Sequence, residues 1–283
     1  MSQIKVTDAA GVTGVFTNPI TVDPYTPRAT VFGTTPDYNN SEIGFVNHLS
    51  LYPESGVARV YGADCAQWDS SHVRALVTRG DRLWFSFKNF NLAPVIANWN
   101  AMTTEADYSP FHEYNRPKNG PVKVDYVAFI LKLFAARDAH HNSALIKLGP
   151  IASWFPAVHD NEGIGWEEIM GQDNMPWDFT GWDQYNSAPN ALDDPEEFVS
   201  LPVSAGLKYN LPVQIGEWSV QPQQGDVGDV HAAQWLLDVG NAYRRHGVRY
   251  VAQWCSTAPP NPNYHLENRP KCYAVIKQLI AGK

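Results

Sequence analysis

The chain is poor in cysteine, in positive charge and in long apolar runs. Three cysteines stand in 283 residues, at Cys65, Cys255 and Cys272. They have neither metal-site spacing nor the density of a disulfide framework, and read as buried thiols. Lys and Arg number 21 against 29 Asp and Glu, a formal charge of −8. A phosphate-backbone binder needs clustered Lys and Arg, so the balance argues against a nucleic-acid partner. No apolar run approaches the roughly 20 residues of a membrane-spanning helix, which argues against a membrane role. Fixed-period repeats and sustained heptads are missing, against solenoids and coiled coils. The start, Met1-Ser2-Gln3-Ile4-Lys5, lacks the charged-then-apolar build of a secretory signal. A cytosolic, mature or otherwise exported chain is expected. No Gly-x-Ser-x-Gly turn offers a serine nucleophile.

What is present is a core-forming composition. Hydrophobic residues make up 44% and charged ones 18%, against disorder. Ten tryptophans are a surplus that suits either a core or a sugar-stacking surface. Residues 1–27 are polar and read as an irregular arm, and 28–283 as one domain. In that domain short β-branched or aromatic runs alternate with helical patterns. Strands are expected at 29–33, 57–61, 82–87, 107–112, 144–148, 179–183, 213–216 and 250–254. Helices are expected near 71–79, 92–102, 124–139, 195–209, 230–246 and 270–280. Over 124–139 the apolar face is read as Val124, Val127, Ala128, Leu131, Phe134 and Ala135.

Such alternation implies parallel strands with right-handed crossovers. Eight strands in about 250 residues predict an α/β fold, the (β/α)₈ TIM barrel. A doubly wound sheet is the rival, but Gly33-Thr34-Thr35-Pro36 after the first strand is not its Gly-rich phosphate turn.

Barrel chemistry sits at the C-terminal ends of the strands. Those ends hold Asp64, Lys88, Trp154 and Asp183, and above all two glutamates. Glu113 follows the fourth strand and Glu217 the seventh, on opposite sides of the mouth. Glycosidic bond cleavage needs such a pair: one carboxyl protonates the leaving oxygen, the other attacks or directs water at the anomeric carbon. Around them, His112 and Asn115 flank the first glutamate, and Arg59 inside the second strand is a fixed donor for carboxylates. Trp218 beside Glu217, and Trp254 at the last strand end, are the aromatic candidates for substrate contact.

His112-Glu113-Tyr114-Asn115 is similar to the His-Glu-Met-Asn motif of glycoside hydrolase family 26, the β-mannanase family of the retaining clan A. The layout from about Ala29 to the end fits that family's barrel. The resemblance implies Glu113 as general acid/base, Glu217 as nucleophile and Tyr185 as the tyrosine contacting the nucleophile. It also implies a polysaccharide substrate, no cofactor, and action outside a cell or on a virion. The chain departs from the family at Tyr114, where Met is usual, and at Arg116, where Gly is usual. The tryptophans that follow the family motif are absent from Arg116-Pro117-Lys118-Asn119-Gly120. These departures bear on mannan specificity.

No metal is expected. His140 and His141 are adjacent and do not share a helix face. His159-Asp160-Asn161-Glu162 and Gln172-Asp173-Asn174 lack the spacing of a calcium loop. Two other functions compete with hydrolysis. One is an inactive carbohydrate-binding barrel of a larger assembly such as a phage tail, which the arm suits. The other is a lysine-dependent barrel enzyme using Lys88, which would want a Gly-rich phosphate cradle; Ser256-Thr257-Ala258-Pro259-Pro260 is not one.

Overall fold

Eleven strands and seven α-helices were found among the residues that the structure, a computed structural model, describes: 4–7, 13–16, 29–35, 51–61, 68, 71–116, 120–154, 157, 163–172, 175–254 and 266–282. Cys65, Cys255, Asp64, the 159–162 and 173–174 loop positions and the loop 256–260 lie outside them. The first two strands, β1 (Ile4–Thr7) and β2 (Thr13–Phe16), pair antiparallel with Ile4 opposite Phe16. The arm is therefore not irregular throughout. Each of these strands is a short run with β-branched residues, which favours pairing.

The remaining strands are β3 (Val31–Thr35), β4 (Val57–Tyr61), β5 (Arg82–Phe87), β6 (Ala106–Pro110), β7 (Ile146–Leu148), β8 (Ile151–Ser153), β9 (Thr180–Asn186), β10 (Val213–Val220) and β11 (Tyr250–Trp254). They form one 9-stranded parallel sheet in the order β7-β6-β5-β4-β3-β11-β10-β9-β8. The two end strands are consecutive in the chain, separated only by Gly149 and Pro150. The fifth expected strand is therefore one strand in two halves: β7 pairs with β6 and β8 with β9. Counted as one, the halves turn nine strands into eight and close the sheet into a (β/α)₈ barrel. Proline explains the break, because it brings no N–H to a central ladder. Residues 144–145, expected as the start of that strand, belong instead to a 3₁₀ turn over Ser143–Leu145.

The helices are α1 (Ser71–Arg79), α2 (Leu92–Ala101), α3 (Lys123–Asp138), α4 (Trp166–Met170), α5 (Pro195–Tyr209), α6 (Val230–Arg245) and α7 (Pro270–Ile280). Local signals fix several ends. The Asn91 side chain accepts from Ala93 N at the start of α2. Asp194 accepts from Glu196 N and Glu197 N ahead of Pro195, and Asn210 closes α5 in the left-handed conformation. In α3 the buried face is Tyr126, Phe129, Ile130, Leu133 and Phe134, whereas Val124 is 69% exposed and Leu131 38%. The expected face was thus turned off by part of a turn. Aromatics decide it: Tyr126 stacks on Tyr114 and donates its hydroxyl to the Pro110 carbonyl.

The main core lies between the strands and the helices. A separate small cluster, Trp84, Ile151 and Phe179, fills the barrel interior. Glycine makes the room. A Cβ on Gly149 would lie 2.4 Å from the Phe179 ring, and one on Gly181 3.0 Å from Trp84. At the opposite end from the mouth, Arg82 grips Asp107 through two bonds of 2.9 and 2.6 Å and also reaches Glu105.

Candidate active site

The site is built upward from Trp84. Its indole N–H donates to Ser109 Oγ, and its ring lies 5.8 Å below the Arg59 guanidinium. Arg59 on β4 is fully buried, its Nε donating to Ser86 Oγ at 3.0 Å. Its Nη1 stands 2.8 Å from Asp183 Oδ1 on β9 and 2.8 Å from Glu217 Oε1 on β10. A permanently charged guanidinium inside a barrel needs such counter-charges.

Glu217 owes its place to a bulge. Ile215 packs in the outer core, so strict alternation would point 216 inward and 217 outward. The pairing register instead slips between Ile215 and Glu217, so that Gly216 and Glu217 both face the interior. Gly216 must be glycine, because a Cβ there would lie 2.8 Å from Asp183 Oδ1 and 2.9 Å from Arg59 Nη1. Thr35 Oγ1 pins the bulge by donating to the Gly216 carbonyl at 2.8 Å. The hydroxyl of Tyr185 donates to Glu217 Oε2. Burial, then the nearby Glu217 charge, holds that phenol well above its ordinary pKa, so it stays a donor. Trp254 at the end of β11 sets its ring edge-on to Tyr185, 5.2 Å between centroids, and is half-buried at the mouth.

Glu113 stands in the turn after β6. Phe111 and Glu113 both take positive φ, 48° and 57°. For non-glycine residues such backbone costs about 1–3 kcal/mol each. Contacts with β8 hold it: Glu113 N donates to the Ile151 carbonyl at 2.8 Å. Arg116 Nη2 lies 2.6 Å from Glu113 Oε1, and the Glu113 side chain is 8% exposed. Burial raises the Glu113 pKa; Arg116 opposes this, and the Glu217 charge adds to it. The two glutamates therefore stand within electrostatic reach of one another at one mouth. His112 is buried edge-on to Tyr61, 4.5 Å between centroids. Burial, then Arg59, Lys88 and Arg116, holds its imidazole well below the ordinary pKa, hence neutral.

The structure thus brings Arg59, His112, Glu113, Asp183, Tyr185, Glu217 and Trp254 to one end of the barrel. It does not bring two candidates there. Trp218 is fully buried against Tyr243 of α6, because the bulge turns the residue after Glu217 outward. Asn115 spends its side chain on β8: Ser153 N donates to its Oδ1 at 2.7 Å, and its Nδ2 donates to the Ser153 carbonyl at 2.8 Å. It is a clamp on the wall, not a contact for substrate. Of the other tryptophans near strand ends, Trp177 and Trp182 are core, and Trp154 leans on Phe198. Sequence reasoning passed over Arg116 as a mere departure, and weighed Lys88 only for other chemistry. The signal was available, since a cation three residues beyond an acid in a tight turn folds back on it. Among the described residues no group of three or more His, Cys, Asp or Glu is placed to hold a metal ion.

No family model matches the chain, and no curated protein matches it in sequence. Solved structures do match in fold. A double mutant of the endo-β-1,4-mannanase of Cellulomonas fimi aligns over 88% of this chain and 71% of its own at TM-score 0.54 and 13% identity. The GH26 domain of an endo-β-mannanase/endo-β-glucanase from Prevotella bryantii aligns over 90% and 89% at TM-score 0.57 and 10% identity. A GH128 endo-β-1,3-glucanase from Amycolatopsis mediterranei, in complex with laminarihexaose, aligns over 88% and 98% at TM-score 0.60 and 12% identity. The chain shares the TIM-barrel fold of these glycoside hydrolases; at such identities the likeness is one of fold.

Proposed function

We propose that the protein is a retaining glycoside hydrolase that cleaves within a polysaccharide chain, with Glu217 as nucleophile and Glu113 as general acid/base. One observation carries the reading: two glutamates share a barrel mouth in unlike surroundings, each beside its own arginine. Glu217 receives the Arg59 guanidinium and the Tyr185 hydroxyl, the donors that an ionised nucleophile wants. Glu113 is desolvated and sits near a second carboxylate, which favours the protonated form that a leaving-group acid wants. In the first step Glu217 attacks the anomeric carbon while Glu113 gives its proton to the departing oxygen. In the second, Glu113 takes a proton from water, which displaces Glu217. His112 and Trp254 then offer substrate contacts, and Arg59 with Asp183 holds the nucleophile in place. The His112–Asn115 motif and the neighbours' folds support clan A; within it, the motif alone speaks for family 26. A polysaccharide substrate implies action outside a cell or on a virion.

The Glu113–Arg116 ion pair favours a second reading, a barrel that binds glycan without cleaving it, since a paired carboxylate resists protonation. Mutation and a glycan panel decide. Glu217→Ala is expected to lose nearly all turnover and to regain part of it with azide. Glu113→Ala should slow natural glycans far more than activated aryl glycosides, which need no proton. The first product should keep the substrate's anomeric configuration by proton NMR. Binding with no oligosaccharide released from any glycan would establish the second reading.

A further inference from the structure

The charges at the mouth do not balance for a neutral substrate. Asp183 and Glu217 share Arg59. Two more cations remain, Lys88 and Arg116. Inward residues of β5 alternate through Trp84 and Ser86 to Lys88, and the register that sets Phe87 beside Pro110 puts Lys88 next to the Glu113 turn. Lys88 is half-buried, yet among the described residues its ammonium has no hydrogen bond and no carboxylate within ion-pair distance. Arg116 spends one nitrogen on Glu113 and is 41% exposed, and among the described residues its side chain makes no other ion pair. It also lines a hollow of about 290 Å³ together with Lys123, whose own charge is spent on Glu168.

With Glu113 protonated for catalysis, Asp183 and Glu217 remain engaged by Arg59, and Lys88 and Arg116 face the mouth with no carboxylate of their own. Burial already disfavours the Lys88 ammonium. A half-buried lysine without a partner is costly, and an anion brought by the substrate would neutralise it.

We propose that Lys88 and Arg116 form a subsite for an anionic group, a carboxylate or a phosphate, carried by a sugar next to the scissile bond. The planar fork of Arg116 suits such a group, and the ammonium of Lys88 adds a point charge. Recruiting Arg116 to the substrate also draws it off Glu113, which then takes up a proton from water. The anionic sugar so assembles the acid that cleaves its own linkage, whereas a neutral chain leaves Glu113 paired. This rests on the hydrolase reading and narrows it to charged glycans.

The test compares glycans alike in backbone and different in charge: β-1,4-mannuronan against β-1,4-mannan, β-1,4-glucuronan against cello-oligosaccharides, and peptide-free peptidoglycan glycan strands, whose lactyl carboxylates are free, against chitin. A phosphorylated glycan against its phosphatase-treated form covers the phosphate source. Hydrolysis is followed with the wild type, and binding by calorimetry with Glu217→Gln. Charged members should be cleaved and bound at least about tenfold better, with affinity falling as salt rises. Lys88→Met and Arg116→Gln in the Glu217→Gln background should each cut binding of the charged member about tenfold and leave the neutral member within twofold. Far-ultraviolet circular dichroism confirms that each variant is folded. Equal cleavage of charged and neutral members overturns the subsite and leaves the hydrolase standing. Salt-sensitive binding of a charged glycan with no cleavage of any glycan overturns the hydrolase and leaves the anion subsite.

Discussion

At the scale of single residues, the site works by giving like groups unlike surroundings. Glu113 and Glu217 are the same side chain, set apart by burial and by the cations each meets, and the roles proposed for them follow from that difference. Arg116, Glu217, Lys88 and Arg59 are among the charged groups that face Glu113. The sign of a pH effect follows. An acid catalyst works while protonated, so activity is lost as pH rises through its pKa. Burial raises that pKa, which extends activity upward; Arg116 pulls it down. Arg116→Gln removes the pull, and the alkaline limb of kcat/KM should move to higher pH. A downward shift would show that the limb belongs to another group. The same scale explains what was legible. Arg59, Glu113 and Glu217 could be picked out because barrel chemistry sits at strand ends and because carboxylates want donors, and Tyr185 through the family resemblance. Trp218 was misplaced because a one-residue bulge at Gly216 reverses the alternation, and a lone glycine in a strand signals a bulge without saying which neighbours it turns. Asn115 was misplaced because its partners are backbone atoms of β8, distant in sequence.

At the scale of elements, the chain announces its strands and helices through punctuation more than through periodicity. The bounds of α5 are plain from Asp194-Pro195 at one end and Asn210 at the other. The face of α3 is not, because its apolar residues run almost all round and the choice among them is made by Tyr114 and Pro110 on another element. That choice is measurable. Leu133 is fully buried, and Leu133→Ala should cost about 2–5 kcal/mol. Val124→Ala should stay within about 0.5 kcal/mol, since Val124 is largely solvent-exposed. Urea denaturation of the two variants checks it; similar losses would mean that the helix buries the other face. The division of the fifth strand was hidden for a related reason. Gly149-Pro150 can punctuate a strand or end it, and only the pairing of each half with a different neighbour shows that the ladder resumes.

At the scale of the whole molecule, the two ends of the barrel divide the labour. The mouth carries the charges that chemistry needs. The floor carries a closed ion network in which Arg82 meets Asp107 and Glu105, with Lys147 3.6 Å from Glu105. Asp107 is fully buried, so removing its partner strands a charge in the wall. Arg82→Met should therefore cost about 3–5 kcal/mol of stability. Its KM at a temperature where it remains folded should match the wild type, because the floor touches no part of the mouth. Thermal unfolding and steady-state kinetics on the same preparation read both. A changed KM would mean that the ends are coupled. Between them the interior is nearly solid, with Trp84, Ile151 and Phe179 packed against backbone that glycine alone leaves bare. Such a plug lets loops vary above it without disturbing the wall below.

The seam at Gly149-Pro150 interrupts the ladder of that wall between β7 and β8. Above it, the turn bearing Glu113 is tied to β8 by the Glu113 amide on the Ile151 carbonyl and by the paired bonds of Asn115 with Ser153. Loosening those ties lets the strained backbone at Glu113 relax toward ordinary dihedral angles, and the acid leaves its station. Catalytic readiness then becomes an opening equilibrium, set by how often the stitches hold. In hydrogen–deuterium exchange the amides of Glu113 and Ser153 should open together, and Asn115→Ala should speed both while those of β4 and β5 stay protected. On the proposed mechanism, turnover should fall in proportion to the time spent open, so that Asn115 sets the timing of Glu113.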